Sequence, residues 1–158
     1  MLSVYIETTV PSFYFETRSG PRMVAWRQAT RRWWDEFRGH YKVVTSEFVL
    51  AELRRAPQAK AKSALGLIAD VPLLKPTPEV FEAAMRYAEE RLMPSDALGD
   101  AAHLAIASAH GVDVLLTWNC RHLANANKAS HIRALNERLG LPVPMIVTPM
   151  NLIPEQFP

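Results

Sequence analysis

The chain has 158 residues, 49% apolar and 22% charged, enough for a single domain spanning 1–158 to bury a core without disulfides or a structural metal. No apolar run approaches the roughly 18 residues of a membrane span, and the amino terminus lacks a basic and small-residue leader pattern, so we expect a cytoplasmic protein with no membrane partner. A net charge of +2 is too small to argue for nucleic-acid binding, and the lone Cys120 excludes both an internal disulfide and a thiolate metal site.

Val4-Tyr5-Ile6 is a β-branched and aromatic run that predicts a first strand ending at Glu7, with Pro11 stopping regular pairing. Residues 22–38 carry Met23, Trp26, Trp33 and Phe37 at helical spacing. Arg18, Arg22, Arg27, Arg31, Arg32 and Arg38 crowd this region against only Glu16, Asp35 and Glu36, a pattern that suits phosphate contact and a solvated helix face alike. With Trp26, Trp33 and Trp34 so close together, this helix is expected to expose aromatic surface to a small partner and to a second copy of the chain.

Tyr41 to Thr45 predicts a second strand, after which Ser46 caps a helix whose Phe48, Val49 and Leu53 line one stripe and which carries Glu52 late in its course. Pro57 to Ala69 predicts a helix, Val71 to Leu74 a short strand, and Pro78 to Leu92 another helix with proline near its start. Ala97 to His110 is again helical, ended by Gly111, and Val112 to Thr117 is a buried strand followed directly by Asn119. A helix through Ile132, Leu135 and Leu139 ends at Gly140, and Val143 to Val147 predicts the last strand. Strands alternate with helices throughout. The expectation is an α/β domain with a central, mainly parallel sheet and helices on both faces.

Open sheets of this kind bind ligands beyond the carboxyl ends of their strands, where strand order reverses. Glu7 and Asn119 both follow strands there, and Asp100 opens a helix that would reach the same place if the first and fourth strands are neighbours. Oxygen ligands converging from such positions are what a hard divalent cation requires. Each has a plainer reading: Glu7 as a turn residue, Glu52 as a partner for Arg54 or Arg55, Asp100 as a first-turn acid favoured by the helix dipole. Asp96, four residues before Asp100, is kept as a neighbour of the ion rather than a ligand. Asp113 starts its strand, at the wrong end for the pocket. His103 reads as a packed or capping histidine, and His122 as a group able to reach a phosphate.

Taken together, Tyr5-Ile6-Glu7-Thr8-Thr9-Val10, Ser46-Glu47-Phe48-Val49-Leu50-Ala51-Glu52-Leu53, Asp100-Ala101-Ala102-His103-Leu104-Ala105-Ile106-Ala107 and Leu115-Leu116-Thr117-Trp118-Asn119 resemble, in order, the four signatures of PIN domains. The likeness is greatest to the VapC-like toxins of toxin–antitoxin operons. It implies a three-layer α/β/α fold and a Mg²⁺- or Mn²⁺-dependent ribonuclease, with RNA as substrate, a cognate antitoxin as partner and a homodimer as the expected assembly. It further implies that Glu7, Glu52 and Asp100 hold the metal, that Asn119 completes the catalytic set, and that Thr8 and Thr9 orient an acid or position a metal-bound water. Two positions depart from the pattern, because aspartate is usual where this chain has Glu7 and Asn119. Glu7 keeps its charge on a longer arm. Asn119 keeps an oxygen but removes a charge, which weighs against a second metal ion. The alternative is a PIN-like module that has lost catalysis and only binds RNA or protein.

Overall fold

Five short apolar segments pair side by side in one parallel sheet: β1 (Ser3–Ile6), β2 (Lys42–Ser46), β3 (Leu73–Leu74), β4 (Val114–Leu116) and β5 (Met145–Val147). The computed structural model describes residues 1–94 and 98–153. Strand order is β3-β2-β1-β4-β5. The chain therefore winds outward from β1 through β2 to β3, then crosses back to place β4 on the opposite side of β1, so order reverses between β1 and β4. In register, Val4 lies between Val43 and Val114, and Tyr5 between Val44 and Leu115. Val4, Tyr5, Ile6, Val114, Leu115 and Leu116 are all fully buried, as expected for central strands covered on both faces.

Seven α-helices complete a three-layer α/β/α arrangement: α1 (Thr9–Tyr14), α2 (Pro21–Arg32), α3 (Glu47–Arg54), α4 (Gln58–Leu67), α5 (Pro78–Glu89), α6 (Leu98–Ala109) and α7 (Ala129–Leu139). The apolar stripe of α3 buries Val49 and Leu53, while Val80, Ala83 and Tyr87 form the buried face of α5, which packs on α6 and α7. Gly140, with φ of 70°, ends α7 in the left-handed region that glycine tolerates. Among the described residues no helix is long and apolar enough to cross a membrane.

Every strand expected from the sequence is present, the first two displaced by a residue and the last three shortened, and one local expectation fails. Strand pairing has ended before Pro11 is reached. Pro11 sits in the first turn of α1, where the backbone N–H that proline lacks has no intrahelical partner to lose. The helix expected over 22–38 ends at Arg32 and passes into a π-helical turn, Trp33–Phe37, and then a 3₁₀ turn, Arg38–His40. In an α-helix, successive side chains diverge by about 100°. The wider turn brings neighbours closer in direction, and here it buries Trp33, Trp34 and Phe37 together. Trp34 is only 3% exposed and lies under the Arg38 guanidinium, 4.4 Å from its ring. These two tryptophans are core, so they supply no surface for a second copy of the chain.

Candidate functional site

The backbone N–H of Glu7 continues the ladder by donating to Leu116 O at 3.1 Å, which fixes Glu7 at the carboxyl edge of the sheet where strand order reverses. Its side chain is 2% exposed. One carboxylate oxygen accepts the Thr9 N–H, and the other accepts the Thr117 hydroxyl at 3.2 Å. Thr117 follows β4, and its oxygen also accepts the Asn119 N–H at 2.9 Å. The Thr9 hydroxyl accepts the Trp118 N–H at 2.8 Å, which ties the two strand ends together. The Asn119 side-chain oxygen accepts the His122 N–H at 2.9 Å.

Glu52 enters from the last turn of α3. Its Oε1 accepts the Thr8 hydroxyl at 3.1 Å and a short hydrogen bond from His103 Nε2. Its Oε2 lies against the first turn of α6, where a Cβ built on Gly99 would stand 3.3 Å away. A glycine is thus what allows this carboxylate to sit beside Asp100. Of the two roles expected of Thr8 and Thr9, the one visible here is orientation: Thr8 holds Glu52, and the Thr9 backbone holds Glu7.

Burial raises the Glu7 carboxyl above its ordinary range, against the opposing pull of the His103 charge and of Thr9. Asp100 is raised for the same first reason, offset by Asn119 and the charges of His103 and His122. For Glu52 burial also pushes upward, but the bond and charge of His103, with Thr8 and Arg55, outweigh it and lower the carboxyl. His103 is pushed down by burial and pulled up further by Glu52, Glu7 and Asp100. One imidazole therefore sits in the combined field of all three acids.

Glu7 lies at the carboxyl edge of the sheet, Glu52 and Asp100 lie on α3 and α6 beside it, and Asn119 lies in the loop after β4. Asp96 lies outside the described residues. Asp113 is at the opposite sheet edge, where it accepts from the backbone N–H and hydroxyl of Ser3. His103 is packed, as read, and the sequence reading missed its partners: it bonds Glu52 on one side and Tyr5 on the other. The signal was its spacing, since a residue three after Asp100 shares that acid's helix face. His122 stands near Asp100, with a buried Nδ1 that has no partner among the described residues. Most of the arginines are committed to local structure: Arg18 pairs with Glu16, Arg27 donates to the Glu16 carbonyl, Arg31 to the Tyr14 carbonyl, and Arg32 pairs with Glu36. Arg22 instead lies over Trp26, which stacks on Trp118 at 4.5 Å, at the border of the Asn119 loop.

The donors suit a hard cation in kind, being carboxylate oxygens, and each bonded oxygen retains lone pairs for a ligand. They are not drawn in around one point: among the described residues no group of three His, Cys, Asp or Glu stands at metal-ligand spacing. No family model matches the chain, and no curated protein matches its sequence. Among solved structures it is similar over 93% of its length, with a TM-score of 0.52 at 11% identity, to 98% of a chain of VapBC2 from Rickettsia felis bound to a DNA fragment from their promoter. The fold is PIN-like. A looser likeness, 15% identical with a TM-score of 0.44, covers 74% of this chain and 85% of a chain of VapBC-5 from Mycobacterium tuberculosis, a member of the VapBC family of toxin-antitoxin systems. In PIN-like terms, the acids and Asn119 occupy the edge of the sheet at its point of reversal, with α3 and α6 supplying the residues that do not come from strands.

Proposed function

We propose that this chain is a Mg²⁺- or Mn²⁺-dependent endoribonuclease, the toxin of a toxin–antitoxin pair, acting in the cytoplasm and held inactive by a cognate antitoxin, with a homodimer as its assembly. The observation that carries this reading is the placement of Glu7 at the strand-order reversal of a PIN-like sheet, with Glu52 and Asp100 on the two helices that flank that edge. Three acids crowded in partly dry surroundings repel one another until a cation neutralises them. Glu7, Asp100 and the free Oε2 of Glu52 would hold the ion. A bound Mg²⁺ or Mn²⁺ supplies a water of lowered pKa and a positive charge against a phosphate oxygen.

The remaining work belongs to the protein. Thr9 and Thr117 fix both oxygens of Glu7, so its carboxylate keeps one orientation through the reaction. A carboxylate of the set takes the proton from the attacking water. Asn119 stands beside the acids and adds no charge, which favours a single ion. Arg22, beside the Asn119 loop, is placed to meet a flanking phosphate of the RNA.

The test is thermal denaturation with and without millimolar Mn²⁺, alongside cleavage of single-stranded RNA. Saturating ligand at about 100 times its dissociation constant stabilises by about 2.7 kcal/mol. The melting midpoint should rise by several degrees, RNA should be cut, and Asp100→Asn should remove both effects. No shift and no cleavage would defeat the reading. A second reading, the inactive binding module, is favoured by one specific feature: Glu52 already has a partner in His103, and an amide replaces the fourth acid. RNA retention without cleavage, in both the native chain and Asn119→Asp, would select it.

A further inference from the structure

Behind the acids runs a line of buried polar side chains that metal ligation does not itself require. His103 is 1% exposed, and Tyr5 and Ser46 are fully buried. The Tyr5 hydroxyl lies 2.7 Å from His103 Nδ1 and 2.7 Å from Ser46 Oγ. The far ring nitrogen, Nε2, meets Glu52 Oε1. Tyr5 is in the middle of β1 and Ser46 ends β2, so the line is anchored on two adjacent strands of the sheet. Three polar groups in an apolar interior cost stability unless all are bonded, and an apolar filling would be cheaper. All three are bonded, and at its outer end the line meets Glu52, with the Thr8 hydroxyl 3.4 Å from the same ring nitrogen.

Proton counting fixes what it does there. If the imidazole is neutral and Glu52 ionised, the tautomer that keeps a ring lone pair off the carboxylate has Nε2–H pointing at Glu52, so that Tyr5 donates to Nδ1 and Ser46 donates to Tyr5. If the imidazole is charged, Nδ1–H donates to Tyr5, Tyr5 donates to Ser46, and Nε2–H again points at Glu52. In either state Oε1 receives a hydrogen bond, with the Thr8 hydroxyl as a second donor on the same atom. Among the described residues Oε2 has no hydrogen-bond partner, and it lies toward Gly99 and the first turn of α6.

We propose that His103, held by Tyr5 and Ser46, is a positioning residue that clamps Glu52 through Oε1 and thereby presents Oε2 to the divalent cation, an inference that rests on the metal-dependent reading above. Outer partners of this kind orient ligating carboxylates, and their loss weakens metal affinity by about 10- to 100-fold.

Two measurements test it. In the metal-free protein, the imidazole ¹⁵N signals of His103 should move at Nδ1 in Tyr5→Phe and at Nε2 in Glu52→Gln; signals that stay in place in both variants would overturn the line of bonds. Mn²⁺ affinity is then read from the free-ion electron paramagnetic resonance signal. His103→Gln carries an amide nitrogen near the place of Nε2 and should bind Mn²⁺ close to the native strength, whereas His103→Asn is too short to reach Glu52 and should lose about 10- to 100-fold. Tyr5→Phe, which preserves volume, should fall between them and carries the test if His103→Asn fails to fold. Native affinity in Tyr5→Phe and in whichever His103→Asn protein folds would overturn the positioning role while leaving the metal site standing. A native chain that binds no Mn²⁺, with the ¹⁵N shifts as expected, would instead overturn the metal-dependent reading and the role toward the ion, and leave the His103–Glu52 bond intact.

Discussion

Replacing Gly99 by alanine is expected to leave the fold in place and damage the site. The new methyl would stand 3.3 Å from Glu52 Oε2 and 3.4 Å from its Cδ and Oε1, so the carboxylate must give way by a few tenths of an ångström. Two effects on stability oppose each other. Alanine in place of glycine favours a helix by about 0.8 to 1.0 kcal/mol in its interior, and by less in the first turn where Gly99 lies. Against this, Glu52 loses part of its bond to His103, and a hydrogen bond to a charged group is worth about 1.5 to 3 kcal/mol when removed outright. A partial loss leaves the net within about 1 kcal/mol of zero, or about 4 °C in the melting midpoint for a chain of this length. Function has no such compensation. A misplacement of about 1 Å costs about 100-fold in rate, so a shift of a few tenths should cost several-fold in RNA cleavage and weaken Mn²⁺ binding in step. Thermal denaturation followed by circular dichroism and a titration with Mn²⁺ read the two quantities separately. A variant as stable as the native chain, with unchanged Mn²⁺ affinity and cleavage, would refute the idea that Gly99 is there to admit Glu52.

Glu7→Gln is expected to raise stability at neutral pH while abolishing Mn²⁺ binding. The buried Glu7 holds its proton to higher pH than the unfolded chain, so native stability falls as pH rises from its ordinary value of 4.5 through the folded one; denaturant midpoints of both proteins across pH 4 to 8 should converge at the acid end, and parallel curves would refute this. Glu16 acts in the opposite sense: Arg18 holds its carboxyl down at about 2, so the stability it contributes is present above its ordinary 4.5 and lost as pH falls toward 2, a loss that Glu16→Gln should lack in acid denaturation. Trp33→Phe should cost less than Trp118→Phe, by about 1 kcal/mol, because the buried Trp33 indole N–H has no partner among the described residues whereas that of Trp118 donates to Thr30 at 2.7 Å; equal losses in urea denaturation would show that packing alone decides both.

What the sequence determined by itself is local. A β-branched run such as Val4-Tyr5-Ile6, a glycine such as Gly140 and the apolar stripe of α3 each dictate backbone shape through interactions within a few residues, so strands, helices and their alternation could be read directly. Alternation in turn selects a parallel sheet, and chain order places Glu7 and Asn119 at its carboxyl edge. Tertiary structure decided what depends on groups distant in the chain. The π-helical turn at Trp33–Phe37 exists because two successive tryptophans must enter one core, a demand no helical periodicity records. His103 reads as an ordinary core histidine along its own helix; its partners Glu52, Thr8 and Tyr5 lie 51, 95 and 98 residues away. Asn119, singled out for its side-chain oxygen, turns that atom to the His122 backbone, because a loop leaving a strand must first satisfy its own N–H groups. Sequence assigned the residues to one pocket; only packing determined which atom of each faces its interior.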